Sequence, residues 1–239
     1  MQTFSRIQML IGSSNLEKLK NASVAVFGIG GVGGFTAEAL ARSGVGALAI
    51  FDADAVSISN INRQIIATQN TVGRDKVQVM KERLLSINPD MKIAANKVFY
   101  LAQNADEFDL SSYDYIVDAV DTISAKIEII MRAKKANVPV ISCMGTGGKL
   151  DMSALKVADV EKTSGCPLAR VMRRELKKRG ITGVKVVYSQ EKVSFDQEER
   201  DDAEKTNAGR PVPPSMIFVP ATAGLMLAKE VVFDIIGKE

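Results

Sequence analysis

The feature that most constrains this chain is the run GIGGVGG at residues 28–34, set between an apolar segment (residues 24–27) and a helical pattern. Apolar residues that end in glycines, followed by core-spaced Ala37, Leu40 and Ala41, read as strand, tight turn and helix. Gly28, Gly30 and Gly33 have the GxGxxG spacing that lets backbone N–H groups approach a phosphate at the positive end of a helix. A second apolar run, residues 47–51, ends in Asp52, placed to accept from ribose hydroxyls. Tight packing alone explains part of the glycine pattern, and a solvated strand end is the competing role for Asp52.

The alternation continues along the chain. Residues 14–17 fit a capping box that opens a short helix through Lys20, and residues 31–43 form a helix stopped by Gly44. Residues 75–87 are an amphipathic helix ended by Asn88-Pro89. Strands follow at 92–99, at 113–117 (ending at Asp118) and at 138–143, with a helix at 123–137. A strand at 155–160, a helix at 167–180, a strand at 184–188 and an apolar helix within 219–236 complete the pattern. This order predicts an α/β, Rossmann-like fold: a mainly parallel sheet with helices on both faces and a smaller C-terminal extension. Residues 1–150 are expected to bind nucleotide. Residues 151–239 are expected to form a substrate-binding and dimerisation part of the same globular unit, with a mobile loop at 189–214.

Composition narrows the chemistry. The 239 residues include no histidine, so Ser-His and Cys-His nucleophiles and imidazole acid–base catalysis are excluded. Cys143 and Cys166 are far apart and form no CxxC, which leaves a structural zinc site no cysteine pair to build on. A net charge of +3 does not by itself identify a nucleic-acid partner; any basic patch must be local. The first ten residues lack an apolar run behind a basic start, so no signal peptide is expected. Lys229, Glu230 and Asp234 interrupt the apolar stretch 219–236, which favours a buried or subunit-contacting helix over stable membrane insertion.

Three constellations carry chemistry. Asn60, Asn62, Arg63 and Gln64 follow the ribose acid, and Arg74 and Lys76 open the next helix. Amides and cations beside a glycine turn suit a triphosphate whose charge must be held and shifted. Asp118 and Asp121, at the end of a strand, can hold a divalent cation through oxygen ligands and water; a helix N-cap is the competing role for Asp121. Arg170, Arg173, Arg174, Lys177, Lys178 and Arg179 lie within ten residues, opposed by Glu175, and form a basic strip able to follow RNA phosphates or simply a solvated helix face. Cys166, beside Pro167, reads as a small buried residue.

Taken together, GxGGVG, DADxVxxSNxNRQ, VGxxK and DAVDT resemble the ThiF/MoeB superfamily, relatives of the ubiquitin-activating enzymes that adenylate carboxylates. The resemblance implies ATP and Mg2+ as cofactors. Gly31, Asp52, Asn60, Arg63, Lys76 and Asp121 would contact ATP, with Asp121 as the magnesium ligand and Arg63, Lys76 and Asp121 as the catalytic set. It also implies that Arg6 reaches the ATP site of the partner in a homodimer.

The region from Lys162 to Leu176 and the ending after Pro220 are similar to one branch, the tRNA threonylcarbamoyladenosine dehydratases. The implied function is adenylation of the threonine carboxylate of a modified adenosine next to the anticodon, followed by cyclisation within that side chain. The implied partners are tRNA and, as a further candidate, a sulfur-transfer protein; the implied location is cytoplasmic. Intramolecular attack needs positioning rather than an enzyme thioester, which suits a chain without a cysteine in residues 189–214. Two alternatives stay open at this point: adenylation of the C-terminal glycine of a sulfur-carrier protein, and a nucleotide-gated binding scaffold.

Overall fold

The structure, a computed structural model, describes residues 3–192 and 213–238. Seven strands form one sheet in the order β3-β2-β1-β4-β5-β7-β6. They are β1 (Ser23–Phe27), β2 (Ala47–Phe51), β3 (Lys92–Asn96), β4 (Tyr115–Asp118), β5 (Val140–Cys143), β6 (Leu155–Asp159) and β7 (Lys185–Ser189). Every neighbouring pair is parallel except β6 with β7, which is antiparallel. The helices are α1 (Ser5–Ile11), α2 (Ser13–Asn21), α3 (Gly33–Arg42), α4 (Lys76–Ile87), α5 (Ile123–Lys135), α6 (Pro167–Lys178) and α7 (Phe218–Ile236).

Side-chain alternation in the strands explains the layering. In β1, Val24 and Val26 face a core shared with α3, α4 and α7, whereas Ala25 and Phe27 face a second core shared with α5 and α6. The central strands are buried on both sides, so they read as continuous apolar runs. The sheet passes through residue 150 without a break, because β6 and β7 extend it beyond β5. The later segment also supplies α7, which packs along α3. A Cβ at Gly224 would meet the carbonyl oxygen of Val32 and approach Phe35 Cβ at 2.9 Å, so the two helix backbones meet where no side chain fits. Thr36 Oγ1 donates to the Gly224 carbonyl at 3.1 Å across the same contact.

Several expectations are corrected. The N-terminal capping box does not form: Gly12 is the N-cap of α2, and a separate helix, α1, precedes it. The strand expected at 92–99 ends at Asn96, and the helix expected at 31–43 starts two residues later, leaving Gly31 and Val32 in the turn. The segment expected to become mobile at residue 189 remains ordered at first. Ser189 closes β7, Gln190 donates its backbone N–H to Ala154, and the Glu191 carboxylate accepts the N–H groups of Leu150 and Asp151. Residues 193–212 of that expected loop lie outside the described residues. No helix among the described residues is long and apolar enough to cross a membrane.

Candidate nucleotide site

The carboxyl ends of three strands lie level. Phe27 pairs in register with Phe51 on one side and with Asp118 on the other, so the segments after β1, β2 and β4 leave the sheet side by side. Ligands of open α/β sheets bind at this edge. The glycine turn is fitted to its neighbours: Gly28 has φ 86°, and a Cβ there would stand 2.7 Å from the Ala119 carbonyl oxygen. Gly33 would drive a Cβ into the Gly28 carbonyl, whereas at Gly30 the nearest atom to an added Cβ is Gln64 Nε2 at 3.8 Å. Packing therefore requires Gly28 and Gly33, while Gly30 leaves room on the ligand side. Among the described residues, the backbone N–H groups of Gly30, Gly31 and Val32 have no protein acceptor, which suits an anion at the start of α3.

Asp52 is placed differently from a solvated strand end. Its Oδ2 accepts the Ile29 N–H at 2.7 Å and its Oδ1 accepts the Asp54 N–H at 2.9 Å, so the acid clamps the glycine turn to β2. Burial pushes its carboxyl above the usual range, against the pull of the Lys76 ammonium and the two amides. Lys76 is itself buried. Its Nζ donates to Asp54 Oδ2 at 2.7 Å and lies 3.7 Å from Asp52 Oδ1. Asp54 is a site residue that the sequence reading missed; its signal was the third position of the DAD motif.

The polar tail behind β2 lies on the turn. A Cβ at Gly31 would come within 3.5 Å of Arg63 Cγ, which places the stem of this arginine over the glycines. Its Nη1 donates to the Ser59 carbonyl at 2.7 Å and to Asn62 Oδ1 at 2.9 Å, partners that a phosphate can replace. Asn60 is buried and shapes this tail, because its Oδ1 accepts the Ser57 N–H at 3.1 Å. Asn62 Nδ2 donates to the Ser215 carbonyl at 2.8 Å and ties the approach to α7 to the same edge. Gln64 is buried with its Oε1 unpartnered among the described residues.

The acidic pair does not act as a pair. Asp118 is fully buried: its Oδ2 accepts from Lys126 Nζ at 3.0 Å and from Ser142 Oγ at 2.5 Å. It cannot be a cation ligand, and removing one partner of so buried an ion pair costs about 3–5 kcal/mol. Asp121 is exposed beyond the strand, its Oδ1 accepting from Thr122 Oγ1 at 3.3 Å, and Thr122 rather than Asp121 is the N-cap of α5. Among the described residues, no group of three or more His, Cys, Asp or Glu side chains is placed to hold a metal ion. A single exposed carboxylate fits Mg2+, which keeps waters and takes most of its remaining ligands from substrate phosphates. Lys126 and Ser142 were not read from the sequence. The spacing did hold a signal, because Lys126 lies on the face of α5 that carries Ala125, Ile129, Ile130 and Ala133.

Elsewhere the expected residues divide. Arg6 is not in this crevice: Phe4, just before α1, packs near Gly44, beyond the far end of α3 from the glycine turn. On α6, Arg173 turns inward, donating to the Thr163 carbonyl and hydroxyl at 2.7 and 2.5 Å, which corrects its reading as part of the basic strip. Arg174, Lys178 and Arg179 share Glu175, whose carboxyl Lys178 and Arg179 hold down at about 2. Arg170 and Lys177 remain as exposed cations on this helix. Burial pushes the Cys143 thiol up to about 12, which removes it as a nucleophile, and Cys166 is a buried core residue at the start of α6.

A turn fitted for anions, a clamped acid and a layer of amides and cations are the features of a nucleotide-binding α/β protein. The ThiF family model matches residues 4–239, and the chain belongs to the ThiF family. It is 42% identical over 242 residues to the tRNA threonylcarbamoyladenosine dehydratase of Bacillus subtilis, covering 99% of this chain and 95% of that protein. Similarity to the sulfur carrier protein ThiS adenylyltransferase of Escherichia coli is more limited, at 35% over 136 residues, 56% of this chain and 54% of that one. The crystal structure of the E. coli tRNA N6-threonylcarbamoyladenosine dehydratase, TcdA, in complex with ATP superimposes with a TM-score of 0.88 at 31% identity. That match covers 99% of this chain and 94% of the other.

Proposed function

We propose that this protein is an ATP-dependent tRNA-modifying enzyme that cyclises threonylcarbamoyladenosine next to the anticodon. The observation that carries the reading is the Arg63–Gln64 tail lying over a glycine turn with free amides, in a chain whose dehydratase relative matches it nearly end to end. The threonine carboxylate attacks the α-phosphorus of ATP, giving an acyl-adenylate and pyrophosphate. An atom of the same side chain then displaces AMP and closes the ring, so the nucleoside loses the elements of one water.

The turn amides of Gly30 and Gly31 would hold phosphate, and Asp52 would orient the ribose while fixing the turn. Arg63 would exchange Ser59 and Asn62 for phosphate oxygens as charge develops. Lys76, anchored on Asp54, would complete the positive wall. Asp121 would hold Mg2+, which supplies charge neutralisation on the phosphates when bound. Fixed geometry then replaces a covalent nucleophile, consistent with the inert Cys143.

The active form is a homodimer in the cytoplasm. Met9 and Leu10 on α1 are both 79% exposed beside Arg6, and Leu225 and Met152 are exposed along α7 and the turn before β6. A second copy covering these residues would carry Arg6 toward its partner's crevice. Arg170 and Lys177, with the cations around Glu175, would contact tRNA phosphates, and a sulfur-transfer protein is a further candidate partner. ATP–pyrophosphate exchange separates the substrates: it should rise with threonylcarbamoyladenosine-containing tRNA. Stimulation by a sulfur-carrier protein instead of tRNA would replace this reading with carrier activation.

A further inference from the structure

Lys126 is fully buried on the apolar face of α5, where a methionine or leucine would fill the space without carrying a charge out of water. Its ammonium meets Asp118 Oδ2 at 3.0 Å and Ser142 Oγ at 3.3 Å, at the carboxyl ends of β4 and β5, directly behind the crevice. The other carboxylate oxygen of Asp118 accepts the Val120 N–H at 3.2 Å. That bond folds the chain into the turn that leads to Asp121. The intervening residue, Ala119, donates its N–H to the Phe27 carbonyl at 2.8 Å, and its own carbonyl is the wall against which Gly28 is packed. The contacts thus run without a gap from the Lys126 ammonium to Asp118, to the 118–121 turn, and on to both the glycine turn and Asp121.

We propose that Lys126 is a positioning residue. Through Asp118 its buried ammonium fixes the 118–121 turn, and so sets the place of Asp121 and the floor of the glycine turn. Lys126 touches no substrate. A leucine-like filler would serve packing equally well, but it would leave the Asp118 carboxylate unneutralised and held by Ser142 alone, able to swing from Val120 toward another donor. The statement about Asp121 rests on the proposed role of that residue at the phosphates; the statement about the turn does not.

The test uses the full-length chain with Lys126→Met, Asp121→Asn and the double variant. In ligand-free protein, hydrogen exchange at residues 119–122 should quicken in Lys126→Met by at least about tenfold more than exchange in β1 and β5, whose protection falls only with the loss of overall stability. Unchanged exchange in that turn would overturn the proposal whether or not the enzyme reading holds. For calorimetric ATP affinity in Mg2+ and for kcat in the tRNA reaction, each single variant should lose about tenfold or more. The double variant should match Asp121→Asn within about threefold, because both changes act through one group. Losses that multiply would overturn the link to Asp121. If Lys126→Met does not fold, Lys126→Gln, which keeps a donor toward Asp118, carries the same cycle: partial retention of turn protection supports the proposal and wild-type behaviour throughout contradicts it.

Discussion

Arg63 and Lys76 look alike in the sequence but stand differently in the fold. Arg63 is half-exposed over the glycine turn and holds two exchangeable oxygens, whereas Lys76 is buried against Asp54 and Asp52. Replacing Arg63 by alanine removes charge at the phosphates and leaves the core intact. Turnover should fall by about a hundredfold or more with the melting temperature unchanged. A fall in stability with turnover retained would assign Arg63 to the fold instead. At this scale, motif spacing revealed which residues gather at the edge but not their partners. Asp118 and Asp121 are three positions apart in sequence; one is neutralised by Lys126 and the other faces solvent, because a strand end turns from buried to exposed within a single turn. The lysine responsible lies eight residues downstream of Asp118, on another element.

At the scale of elements, helix α7 decides how the C-terminal segment joins the sheet. Its 19 residues span about 28 Å, and Gly224 lets its backbone meet α3 at the first turn after the glycines. A Gly224→Ala variant should lose about 1–3 kcal/mol in urea denaturation through overpacking, with weaker ATP binding as α3 shifts. An unchanged midpoint would show that the contact relaxes without strain. Elements with strong local patterns were legible: β2 falls at the residues expected, and α4 and α5 begin within a residue of expectation. The antiparallel placement of β6 was not, because strand direction is set by which edge the chain reaches rather than by composition. Helix α1 was also missed, since FSRIQMLI carries no cap, and no buried residue occurs in α1 to impose a helical period.

At the scale of the molecule, one sheet carries the nucleotide edge near its centre and exposed apolar side chains on α1 and α7. If α1 belongs to a homodimer interface, Met9→Glu with Leu10→Glu should convert the dimer to monomer in sedimentation and lower turnover, while each crevice still binds ATP. A wild-type protein that sediments as a monomer at working concentration would contradict the placement of Arg6 in a partner's site. Purified protein is incubated with ATP, Mg2+ and tRNA carrying threonylcarbamoyladenosine, and the nucleoside is then weighed by mass spectrometry. The account predicts loss of one water from that nucleoside, dependent on ATP and on Arg63. An unchanged nucleoside mass with folded, ATP-binding protein would contradict it.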